Sequence, residues 1–194
     1  MSESLNYKTL DIQIADKIAV VTLNRPPVNA QNAEMRTELT EAFDVLSDRD
    51  DVAVVVLTGS GKIFSAGADI RERPNLGATP GAYGRHNRIV RESHNALVEC
   101  SKPIIAAING PAIGAGCDLA CMCDLRIASE AATFAESFVK VGIVPGDGGA
   151  WFLPRVIGMA RAAEMSFTGE AIDAQTALAW GMVSRVVPAE DLLS

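Results

Sequence analysis

Two short apolar runs, Val52–Leu57 and Ile104–Ile108, constrain the fold of this chain more than any other feature. The first is rich in β-branched residues and contains no polar residue, which is the pattern of a strand covered on both faces. The second is equally apolar, and Lys102-Pro103 separates it from a preceding helical segment. Strand and helix signals then alternate along the chain, so the sequence predicts an α/β fold with parallel strand pairing.

The segments around these two runs carry the signals of further strands and helices. The alternation in Thr9–Ile14 and the apolar run Ile18–Leu23 predict a hairpin. Asn32 is placed to cap a helix that carries Glu34 in its first turn. Arg71–Gly84 holds glycine, proline and charge without periodicity, which predicts a mobile loop. The remaining predicted elements are helix Arg85–Glu99, strand Leu125–Ala128, helix Met159–Phe167, helix Ala174–Trp180 and strand Val183–Val187.

The length of 194 residues predicts one domain spanning residues 1–194. Near the end, Pro188–Asp191 has the pattern of a helix start, since proline suits the first turn and acids favour the N-terminal dipole. The sequence stops three residues later. We therefore expect a C-terminal helical part that is missing from this sequence.

Composition and charge exclude several classes of function. Hydrophobic residues make up 48%, which is enough for a real core. The chain has 17 basic and 24 acidic residues, a net charge of −7, and no basic run, so nucleic acid is not an expected partner. The apolar runs are far shorter than the roughly 20 residues that span a bilayer. With no targeting segment in Met1–Asp11, we expect no membrane association and a cytoplasmic protein.

The cysteines and histidines do not have the spacing of a metal site. Cys100, Cys117, Cys121 and Cys123 contain no C-x-x-C pair, and both histidines lie elsewhere in the chain. Structural zinc sites usually contain such pairs. The sequence therefore predicts small buried thiols and no metal.

Three glycine-rich clusters stand where helices are expected to begin, namely Ala66–Asp69, Gly110–Gly116 and Pro145–Gly149. Gly61-Lys62 lacks the Ser or Thr that follows the lysine of a phosphate loop. Leu119 stands where a dinucleotide fingerprint starting at Gly114 needs Gly or Ala. The spacing therefore argues against nucleotide phosphate binding by these loops.

Backbone N–H groups at such strand-to-helix turns are candidates for an oxyanion site. The first N–H groups of a helix have no internal partner, and small residues let a ligand approach the main chain. Two facing turns can hold one developing oxyanion, with each donor contributing roughly 3 kcal/mol of transition-state stabilisation. Asp118 lies three residues after Ala115, on the same helix side, where a carboxylate can act as a general base. Close helix–sheet packing explains the same small residues, so the spacing leaves both interpretations open.

Six motifs follow one another along nearly the whole chain: Asn24-Arg25-Pro26 with Asn29-Ala30, Phe64–Ile70, Lys102–Gly110, Gly114–Ala120, Gly142–Gly149 and Leu178–Val183. In type and order they resemble the enoyl-CoA hydratase/isomerase (crotonase) family. The resemblance implies a spiral of ββα repeats and a substrate that is an acyl thioester of coenzyme A. Coenzyme A is then part of the substrate, and no separate cofactor is expected. The family also implies a homotrimer or a hexamer built as a dimer of trimers, with C-terminal helices that close the acyl pocket.

The resemblance further assigns roles to particular residues. In the family, backbone N–H groups stabilise the thioester enolate, and these donors map to Ala68 and Ala115. Many members have glycine at the second position, so the Ala115 methyl narrows the pocket, and strain follows if φ must be positive. The substrate-binding positions map to Ala66, Asp69, Ile70, Gly114 and Phe138.

Two carboxylates decide the reaction in this family. The first maps to Asp118, a choice similar to that of dienoyl-CoA isomerases, and the second falls on Phe138. A hydratase needs two carboxylates to orient and deprotonate one water, whereas an allylic proton shift needs one base and an enolate hole. Asp147 adjoins Gly146, the position at which the isomerase and dehalogenase branches carry Asp. The resemblance therefore favours double-bond isomerisation, with Asp118 and Asp147 as catalytic residues.

Glu136 precedes Phe138 by two residues and is expected to be a weaker substitute for the second carboxylate. An even offset in an extended stretch keeps it on the same side but places it farther away. Burial among Phe138, Trp151 and aliphatic residues should raise the pKa of Asp118, and the helix N-terminus should lower it. Two other functions stay open, namely an enoyl-CoA hydratase or acyl-CoA hydrolase using Asp147, and a non-catalytic acyl-CoA-binding protein.

Overall fold

The computed structural model describes residues 3–75 and 79–194. Within those ranges the strands are β1 Glu3–Asn6, β2 Leu10–Ala15, β3 Ile18–Leu23, β4 Val54–Gly59, β5 Ile104–Ile108, β6 Ala112–Ile113, β7 Leu125–Ser129, β8 Thr133–Ala135, β9 Ile172–Asp173 and β10 Arg185–Val187. The α-helices are α1 Ala33–Asp48, α2 Pro80–Val98, α3 Ala115–Met122, α4 Gly149–Ile157, α5 Met159–Thr168 and α6 Ala174–Ala179. Short 3₁₀ turns cover Ile70–Asn75, Ser137–Val141 and Ala189–Asp191.

A seven-stranded sheet with the order β1-β2-β3-β4-β5-β7-β10 forms the centre of the fold. The first three strands pair antiparallel, and every pair from β3 to β10 is parallel. A second sheet joins β6, β8 and β9. The predicted N-terminal hairpin and the α/β fold with parallel pairing are therefore confirmed.

Helix α1 covers one part of the core, and its start is the one that the sequence predicts. Asn32 Oδ1 accepts a hydrogen bond from Met35 N at 2.9 Å, which caps the helix. The helix then buries one face and packs against α2. The core side chains of α1, β4 and β5 with 2% exposure or less include Met35, Leu39, Phe43, Leu46, Val55, Leu57, Ile104 and Ile108. Each such burial contributes roughly 1.5–3 kcal/mol to the hydrophobic driving force.

The structure differs most from the sequence-based expectation in Arg71–Gly84. The predicted loop contains a 3₁₀ turn, and α2 begins at Pro80 rather than Arg85, while residues 76–78 of that loop lie outside the described residues. Thr79 Oγ1 accepts from Ala82 N at 3.1 Å and so starts the helix earlier. Its first turns contain glycine, which obscures the helical signal. The other predicted helices and strands lie within two residues of their observed bounds.

The segment after β4 pairs with two distant parts of the chain, at β6 and at Gln31. Ser65 forms an isolated parallel bridge with Ala112 of β6, and Ala68 forms another with Gln31. Ser65 O accepts from Ile113 N at 2.9 Å. These bridges fix the position of the first glycine-rich cluster relative to the start of α3.

Two further features concern the hydropathy of the helices and the state of the cysteines. In the part of the chain that the structure describes, no helix is long and apolar enough to cross a membrane. The four cysteines are free, and Cys117, Cys121 and Cys123 are buried as predicted.

Candidate active site

The backbone around Ala68 leaves its N–H group without a protein acceptor. Gly67 O accepts from Gln31 N at 2.8 Å, and Asp69 N donates to Gln31 O at 3.0 Å. Successive peptide groups of an extended segment face opposite sides, so the N–H of Ala68 points away from Gln31. Among residues 3–75 and 79–194 it has no hydrogen-bond acceptor.

Ala115 supplies a second N–H group of the same kind. It is the first residue of α3, so its N–H has no partner within the helix. No acceptor for it is found elsewhere in the described ranges either. Gly114 precedes it with φ +53°, and Ala115 is absent from the described non-glycine residues with positive φ. The expected strain at Ala115 therefore does not occur, because the glycine absorbs the unusual conformation.

The two turns that carry these N–H groups touch each other. A Cβ added at Gly67 would lie 3.1 Å from Ala115 N and would overlap Ile113 O. Gln31 joins both turns, because its backbone pairs with the first and its Nε2 donates to Ala115 O at 3.1 Å. The arrangement therefore brings two unused backbone donors, at Ala68 and Ala115, to neighbouring positions.

Asp118 and Glu136 form a buried carboxyl pair beside this turn. Both side chains are 0% exposed, and none of their four carboxyl oxygens has a hydrogen-bond donor among the described residues. A Cβ added at Gly149 would overlap Asp118 Oδ1 and lie 3.1 Å from Glu136 Oε2, so both carboxyls reach the same small space. The expectation that Glu136 lies farther away is wrong. Its ψ of 69° breaks the extended alternation just before the Ser137–Val141 turn, so the even offset does not apply.

Burial and mutual repulsion shift the titration of this carboxyl pair. Removal from water raises the pKa of Asp118 well above its ordinary value, and the neighbouring charge of Glu136 raises it further. The backbone amide of Gly149, which lies close to Asp118 without the geometry of a full hydrogen bond, acts in the opposite direction and lowers this pKa. Burial likewise raises the pKa of Glu136 to about 7. Because the two carboxyls interact strongly, they titrate as a coupled pair, and burial favours the protonated form of both.

Of the two aromatic residues expected to bury Asp118, one is buried and the other is exposed. Phe138 is 5% exposed, and its ring packs at the Gly114 turn, where a Cβ would lie 3.7 Å from Phe138 Cζ. Trp151 is 58% exposed. The expectation that Trp151 buries Asp118 is therefore wrong, since its ring lies largely in solvent.

Asp147 lies on the wall of a cavity of about 380 Å³ that Ala68 also lines. Asp118 is not among the residues that line this cavity. Asp147 Oδ1 lies 2.9 Å from Arg36 Nη2 and 3.9 Å from His94 Nε2. Burial and the nearby guanidinium lower the pKa of His94 to about 4, so His94 is neutral at pH 7. The second predicted acid thus faces the cavity as part of an ion pair.

The remaining predicted substrate-binding residues differ in their surroundings. Asp69 lines the cavity and forms ion pairs of 2.8 Å with Arg25 and Arg71. Hydrogen bonds from Arg71 and Arg25 hold the pKa of Asp69 well below its usual range. Ala66 and Ile70 are exposed and do not line the cavity.

Sequence reasoning missed the buried Arg36, whose side chain is 1% exposed. The sequence around Arg36 does indicate that its side chain is buried. Leu39 and Phe43 follow Arg36 at offsets of three and seven, which places the guanidinium on the apolar face of α1. A charged residue on a buried helix face needs a partner, and the structure provides Asp147.

Comparison with known proteins identifies the family. The family model described as enoyl-CoA hydratase/isomerase matches residues 13–194. A probable enoyl-CoA hydratase, echA8, of Mycobacterium bovis is 39% identical over 195 residues, covering 98% of this chain and 73% of that protein. The crotonyl-CoA hydratase of Syntrophomonas wolfei is 40% identical over 194 residues, covering 96% and 72%. The crystal structure of an enoyl-CoA hydratase from Bacillus anthracis superposes with a TM-score of 0.89 at 34% identity, covering 95% and 72%.

The match extends over sequence and structure alike. The expected crotonase fold is confirmed, because the α/β structure with its parallel-rich sheet superposes over 95% of its length on that solved enoyl-CoA hydratase. The chain therefore belongs to the enoyl-CoA hydratase/isomerase family of acyl-CoA-transforming enzymes.

Proposed function

We propose that this chain acts on unsaturated acyl-CoA thioesters and shifts their double bond through a thioester enolate. The observation that carries the proposal is the pair of unused N–H groups at Ala68 and Ala115, with the carboxyl of Asp118 one helical turn further on. Coenzyme A is then carried by the substrate, and the reaction as proposed needs no other cofactor.

The two N–H groups are suited to bind the thioester oxygen as it gains negative charge. Backbone donors are fixed by the fold, so they need no reorganisation when the charge develops. Removing one such donor typically costs roughly 3 kcal/mol of transition-state stabilisation. Gln31 supports this role because it ties both turns together.

Asp118 is proposed as the group that moves the proton. With a 3-enoyl thioester, the Cα–H bond breaks, the proton passes to the carboxyl pair at Asp118, and its electron pair delocalises onto the thioester oxygen. Asp118 then returns a proton to Cγ, and the double bond ends between Cα and Cβ. No atom is gained or lost. The ionised form of a carboxyl whose pKa is raised by burial is a stronger base for this step.

The choice of isomerisation rests on the surroundings of the carboxyl pair. Both side chains are fully buried, and the position at which the family carries its second Glu holds the ring of Phe138. A reaction that carries one proton between two carbons suits a base removed from bulk water. Addition of water requires that a water molecule be held and deprotonated next to the substrate.

Hydration is the second candidate, and specific observations favour it. The relatives reported above carry the names enoyl-CoA hydratase and crotonyl-CoA hydratase. Asp147 also provides a carboxyl on the wall of the cavity that Ala68 lines. In that case Asp147 orients the water, and the N–H groups bind the same enolate.

Product analysis in H₂¹⁸O separates the candidates. The protein is incubated with 2-enoyl-CoA and with 3-enoyl-CoA, and thioester absorbance and product mass are followed. Conversion of the 3-enoyl ester to its conjugated isomer at unchanged mass supports the proposal. Uptake of labelled water into an intact ester would establish hydration instead, and release of free coenzyme A would establish hydrolysis. Binding without turnover would identify an acyl-CoA-binding protein and contradict the proposal.

A further inference from the structure

Resting on the proposed function, we propose that Glu136 is a positioning residue that acts through Asp118. The two carboxyls share one proton, and Glu136 receives that proton when Asp118 takes another from the substrate. Glu136 thereby supplies the second carboxyl of this site from a position two residues before the family's usual one, which here is Phe138.

The burial of the carboxyl pair requires a shared proton. All four oxygens are inaccessible, and among the described residues none of them accepts a hydrogen bond of full geometry, although the Gly149 amide and the Cys117 thiol lie close to the pair. None of the ion pairs formed by the described residues involves either carboxyl, and the buried Arg36 pairs with Asp147. Two ionised carboxylates without donors are strongly disfavoured in such a place, and a proton held between them satisfies one oxygen of each.

The backbone is shaped to bring the two carboxyls together. Gly149, the first residue of α4, adjoins both of them and has no side chain to separate them. Other titratable groups also act on the pair. The thiols of Cys117 and Cys121 belong to α3, and Asp147 lies in the loop before α4. None of these is a cation, so the shared proton is the pair's own means of reducing its charge.

The shared proton gives the pair a defined part in the reaction. At rest the pair carries one proton and one negative charge. When the substrate Cα–H bond breaks, its proton binds Asp118, and the proton already on Asp118 moves to Glu136. The pair is then neutral, while the negative charge lies on the thioester oxygen. Return of a proton from Asp118 to Cγ reverses the relay and restores the starting charge.

The test compares Glu136→Gln with Glu130→Gln, an exposed control six residues earlier. Glutamine keeps the size and a hydrogen bond to Asp118 but cannot take up the relayed proton. We expect kcat for the 3-enoyl ester to fall about 100-fold. The acidic limb of the kcat/KM profile should also move to lower pH, because Asp118 loses its charged neighbour. Glu130→Gln should keep the wild-type kcat and the wild-type pH profile. A structural role alone would not move the pH profile.

Two outcomes overturn the inference, and they differ from failure of the proposed function. If Glu136→Gln keeps the wild-type kcat and pH profile while Asp118→Asn is inactive, the proposed function stands and Glu136 has no role in it. Full activity in Asp118→Asn would remove the proposed function itself. If Glu136→Gln does not fold, ¹³C NMR of carboxyl-labelled wild-type protein decides. Coupled titration of the two carboxyls, with one step near neutral pH, supports the pair, and two independent steps below pH 5 contradict it.

Discussion

Gly67 passes so close to Ala115 that a Cβ at Gly67 would lie 3.1 Å from the Ala115 nitrogen. Gly67 has φ +84°, and an added Cβ would also overlap Ile113 O just before α3. The two turns that offer N–H groups can therefore approach each other only while position 67 lacks a side chain.

Gly67→Ala should consequently separate the two turns and weaken the proposed binding of the thioester oxygen. We expect a loss of about 100-fold in kcat for the favoured enoyl-CoA, the usual effect of losing one such donor. Gly61→Ala is the matched control, because Gly61 has a similar φ of +69° but nothing within 4 Å of its added Cβ. Equal kcat values for the two variants, measured by steady-state kinetics, would contradict the role of this contact.

The buried ion pair of Arg36 and Asp147 yields a prediction for stability. Arg36→Met leaves the Asp147 carboxylate without its partner on the cavity wall. Removing one partner of a buried pair typically costs about 3–5 kcal/mol. Asp147 is 13% exposed, so we expect a loss at the lower end of this range. The free energy of unfolding, measured with urea, should fall by about 3 kcal/mol.

Two further variants test whether that loss belongs to the ion pair. Arg36→Met combined with Asp147→Asn should recover part of the stability, since neither charge is then left alone. Arg49→Met removes an arginine whose partners Glu3 and Asp51 are exposed, and it should cost much less. A double variant that is no more stable than Arg36→Met would show that lost packing causes the effect.

The carboxyl pair should make the folded state less stable at high pH. Its folded-state pKa values are raised, so its contribution is fully present below the unfolded pKa and is lost as pH rises through the folded pKa. For Glu136 the loss occurs between pH 4.5, its ordinary pKa, and its folded-state pKa of about 7. This shift corresponds to a decrease of up to about 3 kcal/mol in the free energy of unfolding. Glu136→Gln should therefore gain that much stability relative to wild type between pH 4.5 and pH 8 in denaturant unfolding. A difference that does not depend on pH would contradict the raised pKa.

His94 should stay neutral throughout the range in which most proteins are studied. Burial and the charge of Arg36 lower its pKa to about 4, so its stabilising effect is present above pH 6.5 and is lost as pH falls through about 4. In histidine NMR spectra, the ring signals of His94 should not move between pH 8 and pH 6. Titration of His94 near pH 6.5 would contradict its burial beside Arg36.

Most of the fold could be predicted from local patterns. The apolar runs that became β4 and β5 define buried strands, and Asn32 defines the start of α1. These signals depend only on residues that are close in sequence, so they can be recognised without knowledge of the tertiary structure. The start of α2 was missed because Gly81 and Gly84 weaken its helical pattern while the cap at Thr79 still initiates it.

The candidate site is harder to predict from the sequence, because its contacts join distant parts of the chain. Asp118 was found through its spacing from Ala115, which is local. The approach of Glu136 depends on one backbone angle at the end of β8 and on the place of Gly149, and neither can be read from spacing. Arg36 meets Asp147 only after α1 and the loop before α4 have packed around the same cavity.

Isomerisation of a 3-enoyl-CoA by Asp118→Asn tests the central claim most directly. Asp44→Asn, at an exposed position of α1, is the matched control. We predict that Asp118→Asn folds and binds the ester but loses about 1,000-fold in kcat, within the range expected for loss of a placed proton carrier. The control should keep the wild-type rate. An Asp118→Asn protein that isomerises the ester as fast as wild type would contradict the account.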